Sequence, residues 1–420
     1  MKIISFIVIA LGLLIPLKAT SEELTLDQCY QAALKRSETI ADQDELIKQA
    51  EEKIKQARGY IFPSINFNAS YLRQEAVSSD TSTSPSPASQ PLLKLSGTQP
   101  LFRGFRDFAA LKQTKTAKDY QLEAKYSAEI DLYKDVATSF FTILILENDL
   151  RNVRNEIDLY EKRVKEINER VRIGRSRVSE VLSTESSMSL LGAEVESIVG
   201  EINSVREGFA FFTGLPNNST LSSVDLSENN SKSLEAYMKG LEDRPDIKSA
   251  KLKLETTKKN IDIAMGANYP SVDLNGNYYF YRTGSLENVN WDFTALLTMP
   301  IFAGGVLMSK TREAKSQVRE AELTLSKTTR SAEEDIKSNY YVWAASISQK
   351  NALEKATKIA EQNYVLQNKE YRLGLVNNLD VLDALSSYQG ALRSFDQTKY
   401  SVKLNYLKLE AAVGNIPAVN

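Results

Sequence analysis

Histidine is absent from this chain, and cysteine occurs once, at Cys29. The first absence removes the commonest metal ligand and the commonest general base. The second rules out an internal disulfide, and Cys29 has neither a CxxC partner nor an imidazole to activate it as a nucleophile. It reads as a small buried residue of the first helix. Its place after Asp27-Gln28, well past the apolar leader, argues against lipid attachment. Charge of one sign is lacking too: 52 Lys and Arg face 54 Asp and Glu, a formal net charge of −2. No basic excess therefore draws nucleic acid or an anionic membrane surface. No GxxxxGK[ST] loop is present to cradle a nucleotide. Together these absences point away from an enzyme and imply no cofactor and no metal.

Long apolar runs are also missing after the first residues. Lys2, the apolar run 3–17 and then Lys18-Ala19-Thr20-Ser21 have the order of a signal peptide, taken as residues 1–19. At about 15 residues the run is short for a membrane span, which predicts export through the inner membrane. No later segment reaches the ~18 apolar residues that a spanning helix needs. If the mature chain crosses a membrane, strands must do it.

What the sequence does hold is a duplication. Pro100-Leu101-Phe102-Arg103-Gly104 returns 200 positions later as Pro300-Ile301-Phe302-Ala303-Gly304, Gly174 as Gly374, Leu182 as Leu382 and Thr213-Gly214 as Val413-Gly414. Upstream the offset is 207, from Pro63 to Pro270, and the seven-residue difference falls in one loop, where the first copy carries the polar, Pro-containing tract 78–87 and the second turns through Thr283-Gly284-Ser285. Two copies of one structural unit are predicted: residues 20–214 and 244–414, joined by a polar connector at 215–243 and followed by a tail at 415–420.

Each copy reads as a helix, two strands, a long helix, a hairpin and a return helix, and its strands are alternating segments. Residues 289–299 are apolar at every odd position and mostly polar between, and 272–281 alternate on the even positions; 65–71 and 93–98 do so less cleanly. Period two over about ten residues suits strands that are greasy on one face and wet on the other. An ordinary antiparallel sheet packed on helices gives the same alternation. The aromatic residues Tyr71, Tyr278, Tyr279, Phe280, Tyr281 and Trp291 favour a membrane barrel, because they sit where an interfacial girdle would be. Four strands cannot close a barrel, so the chain would oligomerise, and three copies would supply twelve.

The rest reads as helix. No Pro or Gly interrupts residues 106–172 or 306–372, runs that correspond to roughly 100 Å each. Gly174 and Gly374 then mark hairpins with antiparallel return helices. The second return helix carries Val381, Leu385, Tyr388, Leu392, Phe395, Lys399 as the one exception, Val402, Tyr406, Leu409 and Val413. These alternating steps of four and three make a coiled-coil seam. Asp380 and Asp383, three apart, lie on one helix face. They read as a solvated face near a helix N-terminus, or, repeated in a trimer, as a cation-attracting ring.

Strands at one end, helices of about 100 Å and paired hairpin tips make an object with a direction. The chain resembles the TolC-type outer-membrane efflux proteins over the whole mature sequence. The likeness rests on Leu24-Thr25-Leu26, Gly59-Tyr60-Ile61-Phe62-Pro63-Ser64-Ile65, Arg244-Pro245-Asp246-Ile247 and Pro300-Ile301-Phe302-Ala303-Gly304-Gly305, in that order and duplicated. The resemblance implies an α+β membrane protein: a homotrimeric 12-stranded β-barrel in the outer membrane of a Gram-negative bacterium, four strands per protomer, continuing into an α-helical coiled-coil barrel. It implies an equatorial role for the connector and a selectivity gate of Asp380, Asp383 and Glu180. Tyr371 matches the family's latch tyrosine, but Val376 stands where the family's type member has an arginine, so Arg175 or Arg177 is the candidate substitute partner for Glu180. The hairpin tips, Arg172, Ile173, Gly174, Arg372, Leu373, Gly374 and Leu375, are the implied docking surface for a periplasmic adaptor, and through it for an inner-membrane transporter of RND, ABC or MFS type. The implied function is passive conduction out of the cell, with outer-membrane lipid around the barrel. The rival reading is a periplasmic coiled-coil adaptor or scaffold without a channel.

Overall fold

The computed structural model describes residues 23–75, 88–222, 232–284 and 286–417. The leader, the tract 78–87, the connector residues 227–231, Ser285 and the tail residues 418–420 lie outside the described residues.

Thr25 starts the first helix with a reciprocal cap: its Oγ1 accepts from the Gln28 N–H at 3.3 Å, and its own N–H donates to Gln28 Oε1 at 2.9 Å, so two otherwise orphaned amide donors are satisfied. Helices α1 (Leu26–Arg36) and α2 (Glu38–Gly59) lead into strands β1 (Ser64–Arg73) and β2 (Ser89–Arg103), then α3 (Arg106–Arg172) and its return α4 (Val178–Thr213). After the connector helix α5 (Leu234–Met238), the same order recurs as α6 (Pro245–Gly266), β3 (Ser271–Tyr281), β4 (Trp291–Thr298), α7 (Val306–Leu373) and α8 (Asn378–Ala412). The unbroken runs expected near 106–172 and 306–372 are thus single helices of 67 and 68 residues. Nearer the sheet the helices lie side by side in the order α2, α3, α6, α7, and nearer the hairpins in the order α4, α3, α8, α7.

The main core sits midway along the helices. Leu26, Cys29, Tyr30 and Ala33 of α1 pack against Tyr133, Val136, Phe140 and Phe141 of α3, with Phe209 of α4 and Leu407 of α8. A second cluster joins Tyr237, Ile336, Trp343, Val402 and Leu409. Cys29 is fully buried there, and desolvation pushes its thiol up to about 12, which leaves no reactive thiolate at neutral pH.

The four strands form one antiparallel sheet in the order β1-β2-β3-β4, and its two faces differ completely. The register places Asn66, Asn68, Lys94, Ser96, Thr98, Asn275, Asn277 and Asp292 on one face. They bond across the strands: Asn68 to Ser96 at 2.6 Å, Thr98 to Asn275 at 2.8 Å, Lys94 to Asn277 at 3.2 Å and Asn277 to Asp292 at 2.8 Å. The other face carries Ile65, Phe67, Tyr71, Leu95, Tyr278, Phe280, Trp291, Phe293 and Leu297, all exposed. Gly97 and Gly276 pair at its centre, and the Phe293 ring lies over Gly276. Among the described residues no helix packs across this face. A bare apolar surface of this kind marks contact with lipid or protein, so the alternative of a sheet packed on its own helices fails.

Two sequence expectations change here. The alternation of β3 turns Tyr279 onto the polar face, where Lys94 lies over its ring at 5.8 Å and Arg282 at 4.3 Å. Tyr279 therefore leaves the expected aromatic girdle, because its odd position gives it the opposite face from Tyr278 and Phe280. Strand β2 also runs five residues past Thr98 to Arg103, with Pro100 and Phe102 paired to β3. The corresponding Pro300-Ile301-Phe302 is not strand and stands open, Phe302 being 89% exposed. The same residue pattern pairs in the sheet interior and stays unpaired at the edge, since β4 has no outer neighbour among the described residues.

At the joint between β2 and α3, Gly104 adopts φ 63°, and a Cβ there would stand 2.2 Å from the carbonyl oxygen of Gly266. Only glycine permits that approach of two backbones. Gly104→Ala is expected to destabilise the protein by about 2 kcal/mol or more through strain and displacement of α6, read as a lower midpoint of thermal unfolding by circular dichroism.

Candidate functional site

Near the hairpins the four long helices are joined by polar side chains that sequence reasoning did not single out. Tyr371 of α7 is buried, its ring held between the guanidinium carbons of Arg163 and Arg170, which lie 3.8 and 4.2 Å from the centroid. Arg163 is only 6% exposed. Its Nε donates to Asn378 Oδ1 at 2.8 Å, and its Nη1 to Glu166 Oε2 at 3.1 Å and Asn368 Oδ1 at 3.3 Å. Asn378 in turn donates to Thr184 Oγ1 at 3.2 Å, and Thr184 donates to the Glu180 carbonyl at 2.7 Å. One guanidinium thus ties α3, α7, α8 and α4 together. Desolvation lowers the Arg163 pKa, but the adjacent Glu166 carboxylate and the aromatic face favour the cation.

Of the contacts expected around Glu180, the structure forms the one from Tyr371. The Tyr371 hydroxyl donates to Glu180 Oε2 at 3.4 Å, a long contact, and the Ser176 hydroxyl donates to the same oxygen at 2.7 Å. Arg175 and Arg177 do not reach Glu180: both are exposed and have no side-chain bond or ion pair with the described residues. Ser176 lies four residues before Glu180, one helical turn, and fills the place that the two flanking arginines were expected to take.

Asp380 and Asp383 lie on the first turns of α8, as expected. Asp380 is part of a cap, its Oδ2 accepting from the Asn377 N–H at 3.0 Å while its own N–H donates to Asn377 Oδ1 at 3.1 Å. Asp383 is exposed and makes no such bond. The tips themselves present Ile173, Leu373 and Leu375 to solvent, whereas Arg172 pairs with Glu169 at 2.8 Å and Arg372 lies 3.7 Å from Glu166.

Further along the helices, Arg393 of α8 bonds Asp149 of α3 through Nε at 2.7 Å and Glu194 of α4 through Nη2 at 2.6 Å. Glu156, buried beside this group, has its carboxyl pushed up to about 7, first by desolvation and then by Glu194, against the opposing pull of Arg393. No group of three or more metal-ligating side chains occurs among the described residues.

At the other end of the molecule Tyr71, Tyr278, Phe280 and Trp291 form an exposed aromatic band on the apolar sheet face. A second band, not anticipated from the sequence, surrounds the strand-to-helix joints: Tyr60, Phe62, Phe105, Tyr269 and Phe302. Nine residues separate Phe62 from Tyr71, which at about 3.4 Å per residue and a tilt near 40° is roughly the 25 Å height of a membrane β-barrel's apolar belt.

Residues 29–194 and 236–415 match the family described as "Outer membrane efflux protein". The chain belongs to the outer membrane efflux protein family. Outer membrane protein TolC of Escherichia coli (strain K12) is 23% identical over 94% of this chain and 83% of its own length. The TolC of Vibrio cholerae (serotype O1) is 22% identical over 87% and 85%. Among solved structures, outer membrane protein VceC of Vibrio cholerae superposes with a TM-score of 0.83 at 20% identity, covering 93% of this chain and 96% of that one. The CmeC outer membrane channel of Campylobacter jejuni gives 0.81 at 16% identity, covering 93% and 85%. Membership places this outer-membrane efflux protein in the outer membrane and agrees with the resemblance read from the sequence. It sets aside the periplasmic scaffold.

The sites generate two expectations. Glu156 titrates near 7 in the folded chain against about 4.5 ordinarily, so the unfolded chain binds fewer protons between those values and the wild type loses stability as pH rises through that window. Glu156→Gln should melt higher than wild type at pH 8 and show no such gain at pH 4, in thermal scans at both values. Arg163→Met should cost about 3 kcal/mol by leaving Asn378 and Glu166 without their buried partner, and Arg163→Lys less, because it keeps the charge but not the planar fork; denaturant midpoints would rank the three proteins.

Proposed function

We propose that three copies of this chain close into one continuous tunnel: twelve strands spanning the outer membrane, continuing into a helical barrel that reaches through the periplasm. The observation that carries the reading is the sheet itself, polar on one face, bare and apolar on the other, with both edge strands open. In hydrocarbon every backbone N–H and C=O must be paired, so those edges have to meet. An eight-stranded barrel made by two copies would be filled by its own side chains, and three copies form the smallest ring that leaves a wide aqueous lumen. The internal repeat, residues 20–214 and 244–414 about the connector 215–243, supports closure in another way. Gly104 packs on Gly266 within the chain, whereas a Cβ added at their counterparts Gly304 and Gly59 would meet no non-neighbouring atom of the described residues within 4 Å; around a ring, Gly304 of one copy would meet Gly59 of the next.

The duct is passive, and an inner-membrane transporter of RND, ABC or MFS type supplies the energy through a periplasmic adaptor docked on the hairpin tips. At the entrance Asp383 supplies the free carboxylate, Asp380 stiffens the start of α8, and the Glu180–Tyr371 contact with the Arg163 and Arg170 clamp holds the helix ends together. Asp383 repeated three times around an axis attracts cations and obstructs anions.

Single-channel recording in planar bilayers tests this reading. The wild type should give a small cation-selective conductance, and Asp383→Asn should lower the cation preference more than Asp380→Asn, whose amide oxygen can still cap Asn377. Absence of any conductance from folded, inserted protein would remove the duct. Gly304→Val, in turn, should leave helix content intact and reduce the three-chain species recovered after chemical cross-linking in detergent.

A further inference from the structure

The two hairpin tips share a backbone and differ in chemistry. Arg175 N–H donates to the Arg170 carbonyl at 2.8 Å, and Leu375 N–H to the Glu370 carbonyl at 3.0 Å; Gly174 N–H donates to Val171 at 2.9 Å, and Gly374 N–H to Tyr371 at 3.0 Å. The glycines adopt φ 72° and 78°. Turn geometry therefore does not dictate the side chains after each glycine, yet Arg175 and Arg177 stand where the second copy has Leu375 and Asn377.

The arginines are also badly placed for local stability. Arg177 is the N-cap of α4 and makes no side-chain cap bond, and a cation at a helix N-terminus opposes the helix dipole. Asn377, at the same place in the second tip, makes the full reciprocal cap. The acids nearest in sequence on the same hairpin are engaged elsewhere: Glu180 by Ser176 and Tyr371, Glu169 by Arg172, and Glu166 by Arg163 and Arg170. Two exposed cations are thus held against local preference, and neither pairs with a carboxylate among the described residues of its own chain. Local rules broken without a local gain point to function.

We propose that Arg175 and Arg177 recognise carboxylates at the tip of the periplasmic adaptor, while the second hairpin, with Leu373, Leu375 and Leu379 exposed, takes an apolar partner surface. This inference rests on the reading of the tips as the adaptor-docking end. It gives each chain two inequivalent sites, alternating around the ring, and makes docking at one of them electrostatic in specificity and approach rate.

The test uses the detergent-purified full chain and three synthetic two-helix hairpin peptides with an identical leucine-bearing tip that carries two Glu, two Gln or two Lys. The Glu peptide should bind at least about tenfold more tightly than the Lys peptide at 50 mM salt, and the preference should shrink at 300 mM as charges are screened. It should disappear in Arg175→Gln/Arg177→Gln. Equal binding of the three peptides, or of none, overturns the proposal. So does a double variant that keeps the ranking but loses stability of the assembled oligomer, which would set the arginines against an acid of the next copy, such as Glu370. Channel recordings on the same wild-type preparation report separately on the duct: if conductance is absent, that reading fails whatever the peptide ranking.

Discussion

The backbone hydrogen-bond requirement at the edges of one four-stranded sheet governs this molecule. A strand in water can leave its edge to solvent, but a strand in hydrocarbon cannot. On the proposed closure, the apolar face of the sheet meets lipid, the edges of β1 and β4, open among the described residues, take neighbours from other copies, and the long helices inherit whatever arrangement the strands adopt. The helices follow the same logic on their own account. α7 carries exposed Tyr341, Val342, Ile359 and Val365, and α4 carries exposed Leu182 and Leu190. These are the outer helices of the hairpin half, and their apolar side chains await cover where the sheet awaits strands.

Much of the architecture could be read in the residues because the relevant signals are local. Uninterrupted runs without Pro or Gly set the two long helices, glycines set the hairpins, and period two set the strands within a few residues. The two-faced sheet also followed from alternation, although applying it residue by residue would have moved Tyr279 to the polar face at once. The site was less legible. Tyr371 and Glu180 were reached through the duplication and the family likeness, but the network around Tyr371 was not, because Arg163, Asn378 and Thr184 come from three helices some 200 residues apart at the extremes, and no periodicity marks a buried arginine. The capping role of Asp380 was open to inference from Asn377 three residues earlier, a reciprocal N-terminal signature. The second aromatic band was hidden by its spread across four separate joints.

The buried charges have a cost that apolar residues would not. A coiled coil filled with leucine would be at least as stable, but its helices could slide and repack. Arg163 donates to Asn378, Glu166 and Asn368 in the observed alignment of the helices, and Arg393 joins Asp149 to Glu194 farther up. The apolar clusters near α1 and α5 provide bulk cohesion, and these polar ties set which residues lie level with which. Polar groups satisfied in a single register are a means of aligning long rods.

The unbroken helices have a consequence for length. Each residue added to α3 advances its tip by about 1.5 Å and rotates it by about 100°. A single insertion would swing Tyr371 or Glu180 away from its partners, and an insertion in one hairpin alone would leave the other short. The helical reach can therefore grow or shrink only in whole heptads, steps of about 10 Å, made together in both descending and both returning helices. The distance between sheet and tip is in this sense quantised.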